Sequence, residues 1–468
     1  MPPTITIIGA GSAVFSLSMV RDLCLTPSLH GSRVVFMDID QGRLDAIHAL
    51  AIRYAQEIGI TLELCKTTDR REALQGADLV VNAALAAGHH RLRTGWDVAR
   101  KLGYRWGGSL HIMHDEAYWI NFYQYRLFES VIEDILDLCP NAWYVQSANP
   151  VKAGITYLAR KYPQARIVGL CHGYSGVYNL ARQLGLEREH LSFEIPGVNH
   201  FIWLTKLFYK GQDALPLIDA WIAEHSAAAW ARDDWDSELN PKKCDLYRRI
   251  GAFPIGDTAG DGGGSWGWWY HLDDDTERQW KEDPGRFWNG FFTDGEAQVA
   301  EIARISADPA VRVSERFPPE LSGESIVPLA EALLCDTERV IICNIANTGN
   351  FVPGIPADFQ VEVPALVSKR GIQGVQTGGL PPAALAYTLR DCVTQTNLEL
   401  AAYTSGSRDL LLELVLMDPW TRTLEQARTL VDSIAALPWH ADLAAHYRTS
   451  YGHADGASRR HKDRGAAL

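Results

Sequence analysis

The first 195 residues carry five short, apolar, β-branched runs, most of them separated by stretches of helical length. No other feature restricts the fold as much. The runs are 4–11 (TITIIGAG), 33–40 (RVVFMDID), 77–84 (ADLVVNAA), 142–149 (AWYVQSAN) and 165–172 (ARIVGLCH). A strand that is apolar on both faces must be covered on both faces, and intervening helices do this in a parallel sheet. The pattern predicts an α/β protein whose N-terminal part is a Rossmann-like, doubly wound parallel sheet.

Beyond residue 195 the pattern changes. Residues 201–211 (FIWLTKLFYKG) read as an amphipathic strand ending at a turn. Segments 339–349 and 359–367 read as further strands, 256–270 as a Gly/Trp-rich loop and 385–406 as a long helix. The expected organisation is a nucleotide-binding domain over 1–195, a mixed α+β substrate and oligomerisation domain over 196–455, and a polar, frayed tail over 456–468.

Charge and cysteine usage narrow the partners. The net charge of −13 argues against nucleic acid or an anionic membrane surface, since both need a basic face. A small anionic substrate needs only a local basic pocket. The eight cysteines are scattered without a CxxC pair, which suits a reducing, cytoplasmic setting rather than a disulfide scaffold. The N-terminus enters a strand at once, without the basic and apolar regions of a signal peptide. No window of 18 apolar residues suggests a membrane span.

Two motifs carry chemistry. Gly9 and Gly11 end the first run and precede a helical stretch, so backbone amides can approach a pyrophosphate at a helix N-terminus. Val14 stands at the third glycine position, so the G-x-G-x-x-G fingerprint is incomplete. The second run ends in Asp38 and Asp40; an acid there hydrogen-bonds a ribose diol and repels a 2′-phosphate, favouring NAD over NADP. The second motif is Cys171 at the end of the fifth run, with Asn149 ending the fourth run at the same edge. Ligands in open α/β sheets gather at that edge. His200 follows Cys171 by 29 residues, and thiolate plus imidazole suit a divalent transition metal. A buried inert thiol and a nucleophile–base pair with His172 are the other readings of Cys171. Strand alternation disfavours the pair, because neighbouring side chains point to opposite faces. The segment 110–116, with His111, His114, Asp115 and Glu116, is a rival metal cluster or a polar helix start.

GAGS at the N-terminus, NPV at 149–151, CHG at 171–173 and GVNH at 197–200 occur in one order, followed by PIGDT (254–258), SWGWWYH (265–271) and VEVPALV (361–367). This combination resembles the family-four glycoside hydrolases, NAD- and metal-dependent glycosidases. It looks most like members acting on α-glucuronides, with α-glucosides and α-galactosides as alternatives. The phospho-sugar branches usually carry other residues after the cysteine. The resemblance implies a lactate/malate dehydrogenase-like layout, bound NAD and a divalent metal, Mn2+ first. It also implies a redox-neutral cycle of oxidation, elimination, addition and reduction, outside the two-carboxylate scheme of most glycosidases. Cys171 and His200 would hold the metal. Gly9, Gly11, Ser12, Asp38, Asn82 and Asn149 would line the cofactor, with Asn149 near the nicotinamide and the sugar hydroxyls. Asp257 would be the base, Tyr270 its alternative, and His172 an acid or a substrate ligand. The partners implied are a small α-glycoside or uronide and copies of the same chain, as a homodimer or homotetramer.

Two features keep alternatives open. The three tryptophans of 260–271 read as an aromatic sugar platform or as a hydrophobic plug at a subunit interface. Lys242, Lys243, Arg248 and Arg249 read as a carboxylate-binding fork or as a solvated helix face. An NAD-dependent sugar dehydrogenase and a nucleotide-sensing regulator are the rival functions.

Overall fold

The computed structural model describes residues 2–107, 117–232, 237–263 and 266–448. The cluster at 110–116 and the tail at 456–468 lie outside the described residues. Six strands run in parallel: β1 (Thr4–Ile8), β2 (Arg33–Met37), β3 (Glu63–Thr67), β4 (Leu79–Asn82), β5 (Trp143–Gln146) and β6 (Arg166–Gly169). Their order is β3-β2-β1-β4-β5-β6, the doubly wound order, in which the strand sequence reverses between β1 and β4. Five of them lie within the runs read from the sequence. β3 (ELCKT) is an addition. It sits at the sheet edge and none of its residues is buried, so no apolar run marks it.

Alternation along the strands explains the two cores. Ile8, Val35, Val80 and Tyr144 face a layer built on the helix Tyr118–Leu138. Ile7, Val34, Phe36, Val81 and Val145 face the helices Ala13–Cys24, Gln41–Ile58 and Ile326–Cys335. A period of two sends each set to one face.

The region after residue 190 adds two small antiparallel sheets. They are built from β7 (Leu191–Glu194), β8 (Gly197–Val198), β9 (Phe201–Leu204), β10 (Lys206–Tyr209), β11 (Gln212–Asp213) and β12 (Phe253–Ile255). One sheet has the order β11-β10-β7 and the other β12-β9-β8. The single strand expected over 201–211 is therefore two strands in different sheets. Further on, β13 (Arg339–Ala346), β14 (Gln360–Ser368) and β15 (Gly371–Gly374) add antiparallel to the edge at β6, giving one nine-stranded sheet. The long helix expected over 385–406 is helical throughout, with a π-helical stretch at Thr388–Thr394. All eight cysteines are free. Among the described residues no helix is long and apolar enough to cross a membrane.

Candidate active site

The turn after β1 is built from backbone. Gly9 has φ +81°, and a Cβ on it would lie 2.5 Å from the Ala84 Cα. Only glycine meets both conditions. The N–H groups of Gly9 and Ala10 donate to the Met37 carbonyl at 2.9 and 3.0 Å. The Gly11 N–H donates to Asp38 Oδ2 at 2.7 Å. Asp38 thus stands against the turn. Asp40 is engaged otherwise, capping the helix Gln41–Ile58 through the Arg43 N–H. Ser12 is the exposed N-cap of the helix Ala13–Cys24 and makes no side-chain cap bond, which leaves its hydroxyl free at an anion-attracting helix end. Asn82 differs from expectation. It is fully buried, donating to the Tyr144 hydroxyl at 2.9 Å and accepting from the Ala84 N–H at 3.1 Å. Its amide shapes the segment that Gly9 packs against instead of facing a ligand. Asn149, half-buried after β5, accepts from Gln124 Nε2 through its carbonyl at 2.6 Å.

The second half of the site is built from side chains. Cys171 follows β6 at its carboxyl end, and the Gly173 N–H donates to its sulfur at 3.4 Å. Burial pushes the thiol pKa well above its ordinary value, and the carboxylates of Glu362 and Asp257 push it further. The Gly173 N–H and the Asn199 side chain oppose them. His200 is the second residue of the two-residue turn joining β8 and β9, at φ 61°. A non-glycine residue there stores strain of about 1–3 kcal/mol. Its Nε2 lies 3.6 Å from Asp257 Oδ2. Burial lowers the imidazole pKa, Asp257 opposes the shift and Lys152 adds to it.

Asp257 sits on a short 3-10 turn, Gly256–Ala259, directly after β12. Thr258 pins that turn, since its hydroxyl accepts from the Ile202 N–H and donates to the Ile202 carbonyl, both at 2.8 Å. The Asp257 carboxylate is no cap; the turn closes through its carbonyl, which accepts from Gly260 N–H at 3.0 Å. The structure therefore brings together Cys171, His200 and Asp257.

Three further residues belong to this group. Asn199 donates to Glu362 Oε2 at 3.1 Å, and its N–H donates to Gln360 Oε1 at 3.0 Å. Glu362 is fully buried, and burial pushes its pKa up to about 7. A lone acid inside the apolar run FQVEVPALV was the signal for it. Lys152 is 2% exposed and forms no ion pair with any described residue. Asp391 and Glu399, its acidic neighbours, have other partners. Asp391 holds Arg390 at 2.8 Å, and Glu399 accepts from Asn121 Nδ2 at 2.7 Å.

A divalent cation fits this donor set. Two acids beside a thiol disfavour the thiolate, and a cation reverses that penalty; a neutral imidazole is a ready ligand. Among the described residues no three His, Cys, Asp or Glu side chains converge as a closed metal cage. Cys171 and His200 would hold the ion and leave open positions.

Other candidates stand elsewhere. His172 turns away from the Cys171 surroundings. Its Nδ1 lies 3.7 Å from Glu324 Oε1, and its ring lines a separate cavity, as strand alternation implied. Tyr270 is fully buried, its hydroxyl donating to Asp245 Oδ2 at 2.5 Å and accepting from Arg249. Burial raises its pKa, and no described contact joins it to Cys171 or His200. The tryptophans pack inward: Trp266 is 3% exposed against Phe201 and Trp203, and Trp269 stacks toward Tyr387. They form core instead of a sugar platform. The basic run is not a carboxylate fork. Lys242 and Lys243 are buried on Glu282 and Glu238, and Arg249 holds Asp245.

Known proteins share this arrangement. Residues 4–187 match the family 4 glycosyl hydrolase model, and residues 195–421 match the model of the C-terminal domain of that family. The chain is 26% identical to an alpha-galacturonidase of Thermoanaerobacterium saccharolyticum, over 91% of this chain and 94% of the relative. It is 24% identical to an alpha-glucosidase of Erwinia rhapontici, over 94% and 99% respectively. A solved 6-phospho-alpha-glucosidase from gut microorganisms, in complex with NAD and Mn2+, superposes with a TM-score of 0.76. It is 20% identical and the match covers 93% of this chain and 98% of that one.

Proposed function

The chain belongs to the family 4 glycosyl hydrolases, and from that premise we propose that it hydrolyses α-glycosides of a uronic acid, best an α-glucuronide, by a redox-neutral route. The cofactors in this reading are NAD and a divalent metal, manganese first, as in the complex of the structural relative. When bound, NAD+ supplies a reversible hydride acceptor for C3 of the sugar, and the metal supplies a Lewis acid beside the C2 and C3 oxygens.

The chain's own groups then divide the work. The Gly9–Gly11 turn and Ser12 receive the pyrophosphate, and Asp38 receives the ribose diol. Cys171 as thiolate and His200 as neutral imidazole hold the metal. Asp257 removes the C2 proton, which lets the group at C1 leave, and returns a proton to C2 after water has added at C1. The observation that carries this assignment is the approach of Asp257 Oδ2 to His200 Nε2, 3.6 Å, beside Cys171 at the sheet edge.

Lys152 supports a uronate as the sugar. It is buried without an acid partner, two residues past Pro150 and within the field of His200. A buried ammonium without a counter-ion favours an anionic ligand. The α-glucosidase and α-galactosidase readings lack such a demand for charge.

The test is to incubate the protein with NAD+, Mn2+ and a panel of aryl α-glycosides, following phenol release and absorbance at 340 nm. Phenol from the glucuronide without net NADH is the expected result. Stoichiometric NADH would make the protein a dehydrogenase, and phenol only from neutral glycosides would move the sugar assignment to glucoside or galactoside.

A further inference from the structure

His172 faces a cavity of about 500 Å3 that adjoins the metal-binding edge and has no part in the chemistry above. Its walls include Tyr174, Tyr178, Arg182, Arg188 and Gly323. The segment 171–173 separates it from Asp257. Gly173 packs on Gly256 from one side, where a Cβ on Gly256 would lie 2.8 Å from the Gly173 carbonyl oxygen. On the other side His172 meets Gly323 and Glu324. A group leaving C1 of a sugar held at Cys171 and His200 has this cavity beside it.

The cavity is basic in a protein of net charge −13. Arg182 donates only to Asn179 Oδ1, at 2.9 Å, and no described carboxylate pairs with it. Arg188 lies over the Tyr178 ring, 3.9 Å from its centroid, and also acts on Tyr174. The neighbouring Glu187 is held by Lys210 and Tyr209 instead. No acid is among the wall residues; Glu324, beside His172, stands next to them. Two guanidinium groups free of carboxylates suit a bidentate carboxylate ligand. Two tyrosines beside them offer flat, amphipathic faces for a sugar ring or an aryl group. The volume is within the usual range for a small-molecule site.

We propose that this cavity is the leaving-group subsite and that it takes an aglycone bearing a carboxylate, in the first instance a second uronic acid unit. The proposal rests on the glycosidase reading of the neighbouring site. With Lys152 reading the sugar that is cleaved, the substrate class becomes an α-linked diuronide or a longer oligouronide.

The experiment compares matched leaving groups on one sugar. 4-Carboxyphenyl α-glucuronide is set against its methyl ester, whose phenol is a similar leaving group without the charge. An α-linked diuronide is set against the same compound esterified at the reducing unit. Wild type and the double variant Arg182→Gln/Arg188→Gln are measured with NAD+ and Mn2+. The wild type is expected to favour the free acid about tenfold or more in kcat/KM, mostly through KM, as charge-assisted hydrogen bonds allow. The double variant should bring that ratio to about one. The diuronide arm showing the preference names a sugar acid as the aglycone; the aryl arm alone names an aromatic acid. A wild-type ratio near one in both arms, or a ratio the double variant keeps, overturns the proposal.

Calorimetric titration with free galacturonate and 4-hydroxybenzoate separates this from failure of the glycosidase reading. If no glycoside is cleaved but the wild type binds either acid and the double variant does not, the cavity assignment stands. Absence of binding to wild type overturns it.

Discussion

The two halves of the site are made differently. The nucleotide half is a backbone structure whose polar groups pair with one another: Gly9 and Ala10 with Met37, Gly11 with Asp38, and Asn82 with Tyr144 and Ala84. The metal and sugar half is made of side chains whose neighbours work against their ordinary charge states. A thiol lies among acids, an imidazole is held neutral by burial, Glu362 is pushed up to about 7, and Lys152 is buried without a counter-ion. The first half is complete without a ligand. The second is balanced only when a cation and an anionic substrate enter, as functional sites with strongly perturbed groups tend to be.

That contrast can be broken by substitution. Cys171→Ser is expected to have the largest effect. Metal-dependent turnover falls to background while NAD binding, measured by fluorescence titration, stays within about twofold. Loss of NAD binding as well would mean the halves are not separable. Asp257→Asn should lower kcat by about 10²–10⁴, the usual contribution of a positioned base, with little change in metal affinity. A variant within a few-fold of wild type would remove Asp257 from the proton transfer.

Lys152→Met should reduce the ratio of kcat/KM for an aryl α-glucuronide over the matching α-glucoside by about 10–100-fold, the range for a lost charge-assisted hydrogen bond. An equal loss on both substrates would make Lys152 a structural cation for Glu399 and Asp391. Gly9→Ala sharpens the other side. A Cβ would fall 2.5 Å from the Ala84 Cα, so the turn must shift at a cost of about 1–3 kcal/mol. NAD affinity is expected to weaken about tenfold with the metal affinity retained. Unchanged NAD affinity would show that the turn does not carry the cofactor.

The same contrast decides what the sequence could reveal. The nucleotide half is local: a strand, two glycines and an acid at the end of the next strand follow each other within 40 residues, and each has a backbone reason. Cys171 and His200 were readable because a thiol and an imidazole at a sheet edge are chemically unusual. Which of Asp257 and Tyr270 stands beside them depends on long-range packing. Tyr270 turned into the aromatic cluster around Trp269 and Trp280, and only Asp257 reached His200. The basic run 242–249 failed as a carboxylate site because its acid partners, Glu238 and Glu282 among them, were not recognised as partners. Glu362 and Lys152 were visible as charges in apolar runs but had no local partner to give them meaning. β3 was missed because an edge strand needs no apolar face.

The central claim is that oxidation at C3 and proton removal at C2 precede cleavage. Turnover of an aryl α-glucuronide in D2O, with NAD+ and Mn2+, tests it directly. The account predicts deuterium at C2 of the released sugar and no net NADH. A released sugar with protium only at C2 would contradict it.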